Sequence, residues 1–342
     1  MTKRILLGMS GGVDSSVAAL LLQEEGWQVV GVTFHLWGDG HEGEDAAKVC
    51  AQLGIEHHRV DWREPFRRQV VEPFVEGYQR GETPNPCIFC NRAIKFGRAF
   101  QLARELDCQG ISTGHYARIL QREGEWVLCQ AVHLPKDQSY VLYQLEREQL
   151  PLVRFPLGEL SKEEARELAR KRGLVTYGKA DSQDICFVPQ GDHAAFIQEY
   201  TGLPLEEGTF VDGEGRVLGT HRGLCRYTIG QRRGLGIAWK SHLYVKALLP
   251  QENRVLLTDR EEELFSAALA VPRPHWLIEP PRGPLEALVK IRYSHRPASA
   301  LLHPQGDGGV LVEFAQGQRA VTKGQSAVFY QGDRVLGGGI IG

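Results

Sequence analysis

Residues 8–16, Gly-Met-Ser-Gly-Gly-Val-Asp-Ser-Ser, constrain the fold of this chain more than any other stretch. They follow the apolar run Ile5-Leu6-Leu7 and precede Val17-Ala18-Ala19-Leu20-Leu21-Leu22, so a short buried strand turns through glycines into a helix. Glycine permits positive φ and close backbone approach, and a helix start offers unpaired N–H groups and the positive end of the dipole. Such a turn can hold phosphate. Ser10, Ser15 and Ser16 add hydroxyl donors, and Asp14 could hold a Mg2+ ion that bridges phosphates. The plainer reading is a glycine-rich turn with no ligand.

Two common nucleotide fingerprints are excluded. A Walker A loop needs a lysine before its Ser/Thr and none occurs in this loop, which also lacks the spacing Gly-x-Gly-x-x-Gly. Ser-Gly-Gly-Val-Asp-Ser instead resembles the pyrophosphatase loop of ATP enzymes that adenylate a substrate and release pyrophosphate.

The first two hundred residues alternate strand and helix patterns. Strands are predicted over 3–7, 28–34, 55–62 and 109–112, and helices over 15–25, 44–53, 65–79 and 92–105. Such alternation predicts an α/β fold with a parallel sheet and helices on both faces. Ligands in such sheets lie beyond the carboxyl ends of the strands, where the 8–16 loop, the segment after Phe34 and Gly114-His115 would gather. Ser161 and Glu164 form a capping box that opens a helix running to about Lys171, read as structural. After residue 200 the apolar period becomes two, as in Ala287–Tyr293 and Val310–Phe314, with Gly and Pro every eight to twelve residues. A chain of 342 residues is too long for one core. The expected division is a nucleotide-binding catalytic domain over 1–200, a small central domain over 201–265 and a C-terminal β-barrel over 266–342.

With 42% apolar and 24% charged residues the composition is globular, and no apolar run reaches membrane-spanning length. No signal-peptide pattern opens the sequence and the seven cysteines are odd in number and scattered, so a cytoplasmic protein with reduced thiols and no membrane partner is expected. A net charge of −2 excludes a globally basic nucleic-acid binder. Locally the picture differs. From Gly215 to Gln251 there is no acidic residue, while Arg216, Arg222, Arg226, Arg232, Arg233, Lys240 and Lys246 alternate with Tyr227, Trp239 and Tyr244. This is the footprint of a phosphate-binding face, with an ordinary solvated face as the alternative.

Thr83-Pro84-Asn85-Pro86-Cys87-Ile88-Phe89-Cys90-Asn91-Arg92 is the second informative stretch. Its prolines stiffen an extended segment, and Asn91 or a residue before it can start the following helix. Cys90 is therefore expected near a helix N-terminus beside Arg92 and Lys95, a setting that lowers a thiol pKa. The third stretch, Asp181–Phe187, places Cys186 in a polar loop.

These motifs resemble those of the tRNA-specific 2-thiouridylases. So do Thr113–Arg118, Lys136–Tyr140, Tyr227–Gly236 and Val335–Ile340, in family order over essentially the whole chain. The resemblance implies ATP-dependent 2-thiolation of the wobble uridine of tRNAs for Lys, Glu and Gln: ATP adenylates the C2 oxygen and sulfur displaces AMP. It implies that Cys186 receives a persulfide from a sulfur donor protein and that Cys90 is the nucleophile that releases the sulfur. It also implies ATP contacts at Gly8, Met9, Ser10, Gly11, Gly12, Val13, Asp14, Ser15, Phe34 and Gly114. Target-base contacts are implied at Asn85, Pro86 and Cys87, and tRNA contacts at His115, Lys136, Asp137, Gln138, Arg292, Tyr293 and Gln325.

Many members have aspartate where this chain has Cys87, so a Cys-x-x-Cys stands at 87–90. Cys87, Cys90 and Cys186 could hold a [4Fe–4S] cluster with one iron open to hydrosulfide, or Cys87 and Cys90 could be a local redox pair. Accidental spacing is the bland alternative. Cys50, Cys108 and Cys129 read as core residues. Two other readings keep the loop: a synthetase with a different acceptor, or a protein that only binds nucleotide, RNA or a cluster. The paired cysteines and the basic run count against the first, and tRNA-dependent pyrophosphate release separates an enzyme from the second.

Overall fold

The computed structural model describes residues 3–39, 43–179 and 185–342. The N-terminal sheet is built from β1 (Arg4–Gly8), β2 (Gln28–His35), β3 (Glu56–Asp61), β4 (Gly110–Ser112) and, after the hairpin β5 (Ala117–Arg122)–β6 (Glu125–Gln130), β7 (Val153–Arg154). Its order is β3-β2-β1-β4-β7 and every pair is parallel. β1 is apolar from Ile5 to Leu7 because both faces are covered there. Leu6 packs with Val30, Ile111 and Phe96 on one side, while Ile5 and Leu7 pack with Ala18, Leu22 and Val49 on the other. The helix after β1, Val13–Glu24, starts two residues earlier than the pattern predicts.

Two predicted helices have a different shape. The expected helix over 65–79 spans 63–79 with a wide π-type turn at Arg67–Val71. The one expected to start near Asn91 starts at Pro86 and runs to Glu105, with a π-type stretch at Asn91–Arg98. Asn85 is its N-cap, accepting a bond from the Cys87 N–H at 3.1 Å. The capping box holds in both directions: Glu164 N–H donates to Ser161 Oγ at 3.1 Å and Ser161 N–H to Glu164 Oε2 at 2.7 Å.

The middle sheet, β8 (Gly208–Val211), β9 (Val217–His221), β10 (Tyr244–Leu249) and β11 (Arg254–Thr258), is ordered β10-β11-β8-β9 around Phe210, Tyr227, Val245 and Leu257. The last sheet runs through β12 (Phe265–Val271), β13 (His275–Trp276), β14 (Leu285–Lys290), β15 (Ala298–Pro304), β16 (Val310–Arg319), β17 (Ser326–Gln331) and β18 (Arg334–Ile340). Gly342 N–H donates to Ala270 O at 3.1 Å, tying the end of the chain back to β12. The hairpin β5–β6 belongs to this last sheet, because β6 pairs with β18. Arg118 and Arg122 both grip Asp333, each at 2.7 Å, which locks the hairpin in place. The N-terminal and C-terminal parts are therefore joined through shared strand pairing. Among the described residues no helix is long and apolar enough to cross a membrane.

Candidate active site

The loop after β1 is shaped by contacts with the elements around it. Gly11 has φ +70°, and a Cβ there would lie 2.9 Å from Ala46 N, so only glycine fits. A Cβ on Gly114 would come within 2.9 Å of the Asp14 and Ser15 backbone, so this glycine lets the end of β4 pack against the helix start. Ser10 and Ser15 hydroxyls lie 3.2 Å apart, Gly12 N–H donates to Ser10 Oγ at 3.4 Å, and Ser16 Oγ donates to Gly12 O at 2.8 Å. The N–H groups of Val13, Asp14 and Ser15 have no acceptor within their own helix and leave donors for an anion. Met9 and Val13 are buried and fix the loop to the core. Phe34, at the end of β2, stacks on Trp62 with ring centroids 4.9 Å apart, and Gly8 lies against it. The three segments expected at the carboxyl edge do gather there.

A lysine that motif reading assigned no role completes this loop. Lys162, on the helix opened by Ser161, donates from Nζ to Asp14 Oδ1 at 2.7 Å although 148 residues separate them. Its side chain is 6% exposed and that of Asp14 35%. Tyr116 OH donates to the same oxygen at 2.8 Å. Asp14 Oδ1 is thus occupied by protein donors, and its other oxygen is the atom a metal ion would take. One carboxylate oxygen plus phosphate oxygens is a set that suits Mg2+. Lys179 donates to Gly11 O at 3.1 Å and to Asp45 at 2.9 Å, bringing a second cation to the loop rim.

The sulfur residues depart from expectation. Cys87, in the first turn, is the thiol nearest the helix start; Cys90 lies one turn later, 6% exposed, in a core with Phe66, Phe74, Ile94 and Phe187. Burial pushes the Cys90 thiol up to about 12, against the attraction of Lys95, so the expected lowering does not hold in this conformation. Cys87 is exposed at its rim yet crowded by protein, and its thiol is pushed up for the same reason. Cys186 is exposed, and the residue after it, Phe187, shares the core that holds Cys90, so the two cysteine segments meet. Phe187 anchors Cys186: it is 2% exposed and packs edge-on against Phe66, Phe74 and Phe196 at 5.2–5.5 Å. Residues 181–184 of the third motif lie outside the described residues.

No three-cysteine metal centre is assembled in this conformation. Among the described residues no three Cys, His, Asp or Glu side chains converge closely enough to hold a metal ion. All seven cysteines are free, and Cys50, Cys108, Cys129 and Cys225 are buried.

Several residues expected on RNA are used internally. His115 is 8% exposed, hydrogen-bonded to Thr113 Oγ1 at 2.7 Å and held well below the ordinary imidazole pKa by burial. Asp137 is buried, accepting from Ala131 N–H, Ser139 N–H and the Ser139 hydroxyl. Gln138 accepts the Tyr116 N–H at 2.9 Å. The Arg292 guanidinium bonds Ile229 O, Ala320 O and Thr322 Oγ1, clasping the middle domain to the barrel. Gln325 donates to Thr83 O at 2.6 Å, so the barrel steadies the strap that carries Asn85, Pro86 and Cys87. Lys136 is partly exposed, and Tyr293 is 41% exposed with Lys290 over its ring.

In the acid-free run, Arg216 pairs with Asp212 and Lys246 with Glu263, while Tyr227 and Tyr244 are core residues. Arg222, Arg232 and Arg233 are exposed with no carboxylate partner among the described residues. Trp239 is 39% exposed beside them in sequence. The basic face is therefore smaller than the sequence run.

A serine- and glycine-lined anion loop at the carboxyl edge of a parallel sheet, with its lysine supplied from a distant helix, places the chain among pyrophosphatase-loop enzymes. Comparison with known proteins narrows this. Residues 3–190 match the tRNA methyl transferase HUP domain, 194–259 the tRNA methyl transferase PRC-barrel domain, and 266–341 the aminomethyltransferase β-barrel domain. A tRNA-specific 2-thiouridylase MnmA of Syntrophotalea carbinolica is 48% identical, over 99% of this chain and 98% of its own length. Those of Clostridioides difficile and Acidithiobacillus ferrooxidans are 42% and 45% identical, each over 98% of their lengths and at least 99% of this chain. The chain belongs to the tRNA-specific 2-thiouridylase MnmA family.

Proposed function

We propose that this protein uses ATP to convert the wobble uridine of tRNAs for Lys, Glu and Gln to 2-thiouridine. The observation that carries the reading is the meeting of the two distant cysteine segments: Cys90 and Phe187, the residue that follows Cys186, lie in one core. Lys179 on Gly11 O and Phe187 in the aromatic core tether the two ends of the segment that bears Cys186.

In this reading the donors of residues 10–15 hold the triphosphate. Mg2+, held by Asp14 and the phosphates, would neutralise charge as pyrophosphate leaves. The uridine C2 oxygen attacks the α-phosphate, and pyrophosphate departs. Cys186 carries a persulfide delivered by a donor protein. Cys90 attacks the Cys186 sulfur, hydrosulfide is released, and it displaces AMP from C2 as the Cys90–Cys186 disulfide forms. Burial keeps Cys90 protonated at rest, which protects it from adventitious oxidation until the persulfide docks. Because the three thiols do not converge as ligands, no step is assigned to a cluster.

The test is a reaction of protein, tRNA, MgATP and a persulfide donor. 2-Thiouridine, AMP and pyrophosphate are expected in equal amounts, each requiring tRNA. Pyrophosphate formed equally without tRNA would refute the assignment. RNA recognition has its own check: charge reversal at Arg232 and Arg233 should weaken tRNA binding and lower the salt slope by about two. An unchanged affinity in a salt titration would remove this face from the RNA site.

A further inference from the structure

We infer that Cys87 is the resolving thiol of the catalytic cycle, opening the Cys90–Cys186 disulfide that sulfur release leaves behind. The inference rests on the proposed function and extends it to the step that restores the enzyme.

Access is the physical problem. Cys90 is 6% exposed, inside a core that includes Phe66, Phe74 and Phe187. A disulfide to it brings the Cys186 sulfur within about 2 Å of that buried atom. Both sulfurs are then withdrawn from a reductant in solution, although Cys186 is exposed when unbonded. Cys87 is placed to reach them. It stands three residues before Cys90 on one helical turn, a spacing that puts the two side chains on the same face with Cβ atoms about 5–6 Å apart. A disulfide needs Cβ atoms about 3.5–4.5 Å apart, which a small shift at the first turn supplies. Cys87 is also exposed, so it faces solvent with one side and Cys90 with the other. The positive charge of Lys95 opposes, without overcoming, the burial that pushes both thiols up.

The step balances. The Cys87 thiolate attacks Cys90 Sγ, the Cys90–Cys186 bond breaks, and the electron pair leaves on Cys186, which is again free to accept a persulfide sulfur. The Cys87–Cys90 bond that forms is attacked at exposed Cys87 by an external dithiol. Cys90 leaves as thiolate, and the second thiol of the reductant then releases Cys87 by closing its own disulfide. Two electrons pass from the dithiol for each uridine thiolated.

Cys87→Ser in the full-length protein is the main test, with tRNA in excess and a dithiol reductant present. The variant should produce a burst of about one 2-thiouridine per enzyme and then fall at least 10-fold below the wild-type steady rate. Non-reducing peptide mapping of the spent variant should find Cys90 joined to Cys186. In a second variant, Cys186→Ser, a mild dithiol–disulfide buffer should join Cys87 to Cys90. Continued cycling by Cys87→Ser, the absence of any burst in it, or no 87–90 bond in Cys186→Ser would each overturn the assignment. Failure of the wild-type protein to thiolate would instead refute the proposed function.

Discussion

Cys90→Ser is expected to lose at least about 10^3-fold in 2-thiouridine formation while still producing AMP and pyrophosphate in the presence of tRNA. The reason is the division of labour in the proposed reaction. Activation is assigned there to the loop at 8–16, whose donors come from Ser10, Ser15 and the helix start, while Cys90 lies in a separate core with Phe66, Phe74 and Phe187. Sulfur release belongs to the thiol, and a serine hydroxyl neither ionises in the working range nor attacks a persulfide usefully. The substitution should leave the fold intact. Burying a hydroxyl in place of a thiol costs about 1–2 kcal/mol, small against the stability of a domain. The measurement is a pair of assays on one reaction: nucleoside analysis for the thiolated base and radiolabelled pyrophosphate release. If both products fell together, Cys90 would be acting on adenylation or on folding and the nucleophile role would be lost. If neither fell, Cys90 would have no part in the reaction.

The second large effect is expected at Lys162. Its ammonium neutralises Asp14 at 2.7 Å, at the entrance to a site that must accept a triphosphate. Lys162→Met keeps the length and the packing against the helix Val13–Glu24 but leaves the Asp14 carboxylate facing incoming phosphate. The rate of tRNA-dependent pyrophosphate release should fall about 100-fold, mainly through a higher KM for ATP, and Lys162→Arg should recover part of it. Stability should change less than for a sealed ion pair. Asp14 is about one-third exposed, so water can replace the lost bond, and about 1 kcal/mol is expected. An ATP titration at saturating tRNA decides it: an unchanged KM and rate would leave Lys162 with a purely structural role.

Lys162 also marks the limit of what could be read from motifs. Ser161 and Glu164 were legible as a capping box because capping is local, set by residues three apart. That the residue between them reaches a loop 148 positions away is set by how the helix Lys162–Lys171 packs on the helix Val13–Glu24, and no local pattern encodes it. The signal available was a lysine missing from the phosphate loop itself, which left its source open. The cysteines show the same boundary. Their spacing announced sulfur chemistry, but the environment of Cys90 was read from nearby Arg92 and Lys95 as electropositive. Desolvation outweighs them, because Phe66, Phe74 and Phe187 close over the thiol from other parts of the chain. His115, Asp137 and Arg292 were legible as family positions. That their polar groups are spent on Thr113, Ser139 and Ala320 depends on loops coming together. Nothing local in the hairpin β5–β6 encodes the sheet it joins, since its partner strand β18 lies about two hundred residues further on.

The loop at 8–16 and the parallel sheet around it were therefore determined by sequence alone. Each rests on short-range physics: glycine's access to positive φ, the period of apolar residues, and the chemistry of a side chain. Tertiary structure alone decided which lysine serves the phosphate loop, which thiol is buried and which is exposed, and which basic residues remain unpaired. Desolvation and charge pairing are sums over neighbours from every packed element, and those neighbours exist only once the chain has folded.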